Sequence, residues 1–391
     1  MLAVINARIE TVANGIIENG QMLVENGKIK AIGQNLTIPA EAKIIDAAGR
    51  TVTPGIVEGH AHIGIGEQGV GPAGQDTNEA TNPVTAWCNA LDGINMRDSA
   101  FDDFRRAGIT SVNVPPGSAN IIGGTTVALK CKGTIVDEAV IRNPVAMKAA
   151  LGENPKNAYG GRRRMAPSTR MGNAAVMREA LLKAQQYLTK LDNAKSEQDK
   201  PRYDKQCEAL LPVMRGEIPM MIHCHRADDI ATAIRVANEF GIRYVLDHVT
   251  DGFLVADLLK KHNVSCAVGP TMQYGSKVEN RERDFRTAIE LDRAGVHFSF
   301  TTDHAVVAGQ YLITTAALAV GWGLDRDRAL RAITLAPAEH VGIADRVGSL
   351  EVGKDADFVV WSGDPLEFTT FADITVIDGE IVYEREGQAC C

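Results

Sequence analysis

Eight short apolar runs, each followed by a loop or an amphipathic stretch, occupy the middle of the chain, and this alternation constrains the fold more than any other feature. The runs are Gly55 to Val57, Ser111 to Val114, Val127 to Cys131, Ala146 to Leu151, Met220 to His223, Tyr244 to His248, Ser265 to Val268 and His297 to Thr301. Strands that alternate with helices build a parallel sheet with crossover helices. Eight such units without a phosphate-binding glycine loop favour a closed (β/α)8 TIM barrel over an open doubly wound sheet. The fold class is therefore α/β, and a chain of 391 residues is long enough for a barrel of roughly 250 residues plus a second unit of about 100.

The second unit is visible at both ends. Residues 1–53 read as strands Leu2 to Ile9, Gln21 to Glu25, Lys28 to Ile32 and Ala42 to Asp46, punctuated by Asn-Gly turns. Residues 346–391 repeat the pattern with Asp357 to Trp361, Ile374 to Ile377 and Glu380 to Tyr383, and Asp378-Gly379 makes a hairpin turn. The barrel is expected over 54–345. Residues 178–211 are rich in Lys, Glu and Gln and read as a solvent-exposed helical insertion after the fourth strand, placed to cover the site or meet a partner subunit.

The ends of these strands carry the chemistry. The first runs into His60-Ala61-His62, and two imidazoles two residues apart point the same way from a strand. Taken alone the pair is as compatible with core or solvated histidines as with a metal. Later strand ends add Glu153, His223, His248 and Asp303. In a barrel those ends meet on one rim, so five strand ends would present metal-ligand residue types around a common centre. His304 would point away from the rim, supporting a ligand from behind or serving the structure, and His262, His297 and His340 have no ligand context.

Charge and cysteine usage narrow the function classes. A formal net charge of −8 gives no basic footprint for nucleic acid or an anionic membrane, which leaves a small-molecule substrate. The N-terminus reaches polar residues too soon for a signal sequence, and no apolar run approaches the roughly 20 residues of a membrane span, so a cytoplasmic location is expected. The seven cysteines form no CxxC pair and read as reduced thiols; Cys390 and Cys391 read as a frayed tail.

With those residues in place, the sequence resembles the amidohydrolase superfamily, in particular its imidazolonepropionase-like and prolidase-like members. The resemblance runs nearly end to end through VTPGIVEGHAH (52–62), ALGENPK (150–156), IHCHRADD (222–229), LDHVTDG (246–252), TTDHAVV (301–307) and LAPAEHVGIADRVGSLEVGKDADFVVW (335–361). It implies that the β-rich ends join into one small β-sandwich beside the barrel and that one or two divalent ions sit at the rim, zinc by default, with iron or manganese also suited to the donors. It further implies that His60 and His62 bind the more buried ion, that His223 and His248 bind a second, and that Asp303 is both ligand and general base. The fourth strand should supply the bridging ligand. Glu153 is preferred because ALGENP resembles the glutamate segment of N-acetylglucosamine-6-phosphate deacetylases; Lys148, where other branches carry a carboxylated lysine, is the alternative. His225 aligns with a substrate-contacting tyrosine of the prolidase-like branch and could replace His223 as ligand.

Substrate recognition is read from the loop after the fourth strand. Tyr159, Arg163 and Arg170 there could clamp a carboxylate through paired hydrogen bonds, or form a solvated basic loop. GSANIIGGTT (117–126) lacks the lysine of a phosphate loop and reads as a flexible rim segment. The expected activity is hydrolysis of an amide-type C–N bond in a cyclic amide, an N-acyl amino acid or a dipeptide. Heterocycle deamination is the alternative, weakened because Arg226 stands where a deaminase glutamate would follow His223, although Asp228 lies three residues after His225. A catalytically silent, metal-free binding protein is a further alternative, and a homo-oligomer is the expected assembly.

Overall fold

The computed structural model describes residues 1–386, so Cys390 and Cys391 lie outside the described residues. The five described cysteines are free thiols. The barrel wall is built from Ile56–Glu58, Ile109–Val114, a two-part third strand of Ile122–Thr125 and Val127–Lys130, then Met147–Ala150, Met220–Cys224, Tyr244–His248, Cys266–Val268 and Phe298–Phe300. The first two strands pair in parallel, and the fourth to eighth form a continuous parallel ladder.

The third strand departs from the expected parallel order. It runs antiparallel to both neighbours, Val127–Lys130 against the second strand and Ile122–Thr125 against the fourth. The connection from Val114 to Ile122 is too short for a crossover helix, and Pro115-Pro116 turns the chain straight back, so only a hairpin return is available. GSANIIGGTT is accordingly a buried strand approach for most of its length and not a flexible rim.

The seam between the first and eighth strands closes around Glu58. Its fully buried carboxylate accepts from the His60 amide at 3.1 Å, the Thr302 amide at 3.0 Å and the Thr302 hydroxyl at 2.6 Å. An isolated parallel bridge joins Ala61 to His304 just above. Inside the barrel Val57, Ala128, Met221 and Val245 pack on Ala338, Val341, Ile343 and Val347, which plug the floor. A larger apolar layer separates the wall from the outer helices.

Residues 178–211 prove less exposed than their polarity suggests. The helices Arg170–Asp192 and Lys205–Met214 are the crossover between the fourth and fifth strands. Met177, Ala180, Leu181 and Ala184 recur at helical spacing and are buried, with Leu210 and Val213, in the layer against the wall. The polar residues occupy only the outer face.

Strands from both ends of the chain, Leu2–Glu10, Ile16–Glu25, Lys28–Gly33, Lys43–Asp46, Thr51–Pro54, Phe358–Trp361, Ala372–Ile377 and Glu380–Glu384, hydrogen-bond into one continuous sheet. Leu2–Glu10 forks it, pairing in parallel with Lys43–Asp46 and with Thr51–Val52, and an inner face led by Val4, Ile9, Met22 and Phe358 forms its core. The barrel is tied to this sheet by Lys130, whose ammonium is buried 2.8 Å from Asp355, 2.7 Å from Asp357 and 3.2 Å from Asp378. Removing the cation would strand buried carboxylates, so Lys130→Met is expected to cost about 3–5 kcal/mol in urea unfolding, whereas the exposed Lys30→Met should change nothing measurable.

Candidate metal centre

Two groups of ligand-type side chains meet at the C-terminal rim. His60, His62 and Asp303 form one and His223, His225 and His248 the other, with donor atoms in each group within 4.8 Å of one another. The two are contiguous, since the His60 and His248 ring centroids are 5.0 Å apart.

The five rings share one orientation rule. Each Nδ1 faces an outward partner: Asp247 Oδ2 at 2.9 Å for His60, the Pro115 carbonyl at 2.9 Å for His62, Ser118 Oγ at 3.0 Å for His223, Thr250 Oγ1 at 2.7 Å for His225 and the Gly269 carbonyl at 2.8 Å for His248. A carbonyl or carboxylate partner requires the proton on Nδ1, which leaves Nε2 with its lone pair. His248 Nε2 is buried and has no hydrogen-bond partner, the mark of a donor atom reserved for something other than protein. Asp303 Oδ1 lies 3.2 Å from His62 Nε2 and 3.5 Å from His60 Nε2. A donor set of neutral imidazole nitrogens and one carboxylate suits a divalent transition metal.

Burial keeps His60, His223, His225 and His248 neutral. It is the main cause that lowers His60 to about 3 and drives His223 and His225 well below the usual histidine range. For Asp303 burial pushes upward, but His248 and His62 outweigh it and hold the carboxyl well below the ordinary carboxylate range. A histidine whose folded pKa is depressed contributes stability above its unfolded pKa, and that stability is lost as pH falls. For His60 the window lies between the ordinary 6.5 and about 3. The urea midpoint of metal-free protein is therefore expected to fall across that range, and the gap between wild type and His60→Gln should narrow as it does.

Strand geometry explains how the rings arrive. The register pairs Ala150 with His223 and His223 with Asp247, so Lys148, His223 and Asp247 line the interior. His248 follows Asp247 and would face outward in a continuing strand; it instead adopts φ of +76°, which ends the strand and brings its ring into the cluster. Asp303 also has a left-handed backbone, φ +52°. Two non-glycine residues held in this region at one rim are the kind of local strain that collects at functional sites.

Several expected site residues are placed differently. Glu153 is not part of either group: it starts the short helix Glu153–Lys156 after the fourth strand, its amide donates to Glu279 Oε2 at 2.9 Å, and its carboxylate faces Asn157 at 3.4 Å. Lys148 is the fourth-strand residue that arrives, with Nζ 3.3 Å from His60 Nε2 and 3.6 Å from Asp247 Oδ2. Burial is the main cause lowering its pKa. His225 stands in the trihistidine group beside His223, so both are candidate ligands.

The expected carboxylate clamp is not assembled. Tyr159 is fully buried and donates to the Asn82 carbonyl at 2.8 Å. Arg170 is committed to Asp229 at 2.9 Å, near buried Glu279. Arg163 is exposed and makes no side-chain hydrogen bond among the described residues. His304 is buried against Phe104, and its carbonyl accepts the His62 amide at 2.6 Å, a structural role. Residues missed in the sequence include Ser118 and Thr250 behind the rings. Asn154 was missed as well, its amide 3.4 Å from His223 Nε2, and Lys277, 3.0 Å from Asn154 Oδ1. Only Asp247 carried a signal, being the inward residue of its strand immediately before His248.

A profile of the amidohydrolase family matches residues 51–382, the segment that carries every one of these groups. The chain belongs to the amidohydrolase family. An amidohydrolase from Thermotoga maritima of known structure is 38% identical with a TM-score of 0.95, covering 98% of this chain and all of its own. The barrel with its small companion domain is thus the family fold, and the protein is a hydrolase acting on C–N bonds. An imidazolonepropionase from Brucella anthropi is 26% identical across 91% of both chains. The amidohydrolase tasK of Hapsidospora irregularis is 30% identical over 89% of this chain, which spans only 38% of that longer protein. No described helix is long and apolar enough to cross a membrane.

Proposed function

We propose that this amidohydrolase is metal-dependent and cleaves the amide-type C–N bond of a small cyclic amide, an N-acyl amino acid or a dipeptide. The observation that carries this reading is the convergence of five Nε2 atoms, each ring fixed through Nδ1, on a space edged by Asp303. His60, His62 and Asp303 would hold one divalent ion and His223, His225 and His248 a second, with zinc the default for imidazole donors. Such an ion supplies Lewis acidity to the scissile carbonyl and lowers the pKa of water toward about 7.

The chain's own residues do the rest. Asp303 is ionised at neutral pH and partly open to solvent, placed to take a proton from water and return it to the leaving nitrogen. Lys148, its amine disfavoured as a cation by burial, is suited to add through its neutral nitrogen to carbon dioxide, losing one N–H proton to solvent, and the resulting carbamate would place an anionic oxygen ligand beside His60. Arg163, exposed and uncommitted on the loop after the fourth strand, remains available to an anionic group on a substrate. The test is a hydrolysis panel of N-acyl amino acids, dipeptides and cyclic amides run on metal-depleted and metal-restored protein. Turnover of one class that returns with metal supports the reading; release of ammonia from a heterocycle alone would replace it with deamination.

A further inference from the structure

Of the five convergent rings, only His60 gives its Nδ1 proton to a carboxylate, and that carboxylate is contested. Asp247 is completely buried; its Oδ2 lies 2.9 Å from His60 Nδ1 and 3.6 Å from Lys148 Nζ. Nothing in the strand itself decides which of the two it faces. Its other oxygen lies 3.3 Å from Nε2 of His340, which is buried at the end of the helix Leu335–His340 against the barrel floor.

His340 is itself fixed from behind. A carboxylate only accepts, so the Asp247 contact requires the proton on His340 Nε2, and the neutral ring then accepts from Ser265 Oγ at 2.7 Å through Nδ1. A run of hydrogen bonds therefore reaches from the rim ring His60, through the barrel interior, to the floor.

We propose that His340 is a positioning residue for the metal centre: by holding one oxygen of Asp247 it aims the other at His60, fixing that ring's tautomer and orientation and so setting affinity for the divalent ion. The role is exerted from the face of the barrel opposite the substrate. Removing the direct outer partner of a ligating histidine weakens metal binding by about 10–100-fold, and His340, one step further out behind Asp247, is expected at the lower end of that range. This inference rests on the metal-centre reading above.

The experiment measures Co2+ affinity by chelator competition, together with the unfolding midpoint of the metal-free protein, for wild type, His340→Leu, His340→Gln and Ser265→Ala. His340→Leu, read on protein that remains folded, should bind Co2+ about 10-fold more weakly, and its metal-free midpoint should fall because an oxygen of buried Asp247 loses its partner. His340→Gln, which keeps an N–H donor near the position of Nε2, should recover most of the affinity, and Ser265→Ala should lose part of it. Wild-type affinity in His340→Leu overturns the proposal, as does an equal loss in the Leu and Gln variants. If the Leu variant does not fold, the remaining pair decides: wild-type affinity in Ser265→Ala, or a loss in Gln as large as in Ser265→Ala, overturns it. A wild type that binds no Co2+ would instead sink the metal-centre reading itself.

Discussion

Replacing Asp303 by Asn is expected to lower kcat by about 10²–10⁴-fold, the range that a positioned general base contributes. The side chain lies within 3.2 and 3.5 Å of two convergent Nε2 atoms, and its carboxyl is held ionised by the surrounding histidines against the effect of burial. Asparagine keeps the shape and one oxygen donor but cannot take a proton at neutral pH. Metal content should therefore fall much less than turnover, and KM should move little, because the loss lies in the transition state. Metal-loaded Asp303→Asn with wild-type kcat would remove Asp303 from proton transfer.

The second large effect concerns the fourth strand. Lys148→Met is expected to lower kcat/KM by at least about 100-fold and to reduce bound metal, since a ligand should matter no less than the outer partners of ligands. Glu153→Gln should leave both unchanged, because that carboxylate faces Asn157 and not the histidines. Reactivation of metal-depleted wild type should require bicarbonate along with metal, and a short carboxylate added to Lys148→Ala should restore part of the activity. The opposite ranking of the two substitutions would return the bridging role to Glu153.

Much of the fold was legible because apolar runs report buried strands and because His60, His223 and His248 sit at or beside strand ends, where barrel geometry brings them together. Strand direction was not legible: the return after Pro115-Pro116 is set by the shortness of a link, not by the pattern of Val127–Lys130. Glu153 was preferred over Lys148 on the resemblance of its neighbours, but it is Lys148 that strand periodicity brings to the histidines. Lys148 shares the inward face with His223 and Asp247, whereas Glu153 lies past the strand at the start of the short helix Glu153–Lys156. Arg170 and Tyr159 looked available because sequence shows a charge or a phenol without its partner; Asp229 and the Asn82 carbonyl had already taken them. His340 looked ordinary for the same reason, since its partners Asp247 and Ser265 come from the sixth and seventh strands and converge only in three dimensions.

The most direct test of a metal-dependent amidohydrolase is elemental analysis of the purified wild-type protein, followed by metal titration of chelator-treated protein with hydrolysis as the readout. One or two equivalents of a transition metal per chain, with activity rising to a plateau at that same stoichiometry, is the predicted result. Full hydrolytic activity in protein stripped of metal would contradict the account, and the five convergent imidazoles would then need another explanation.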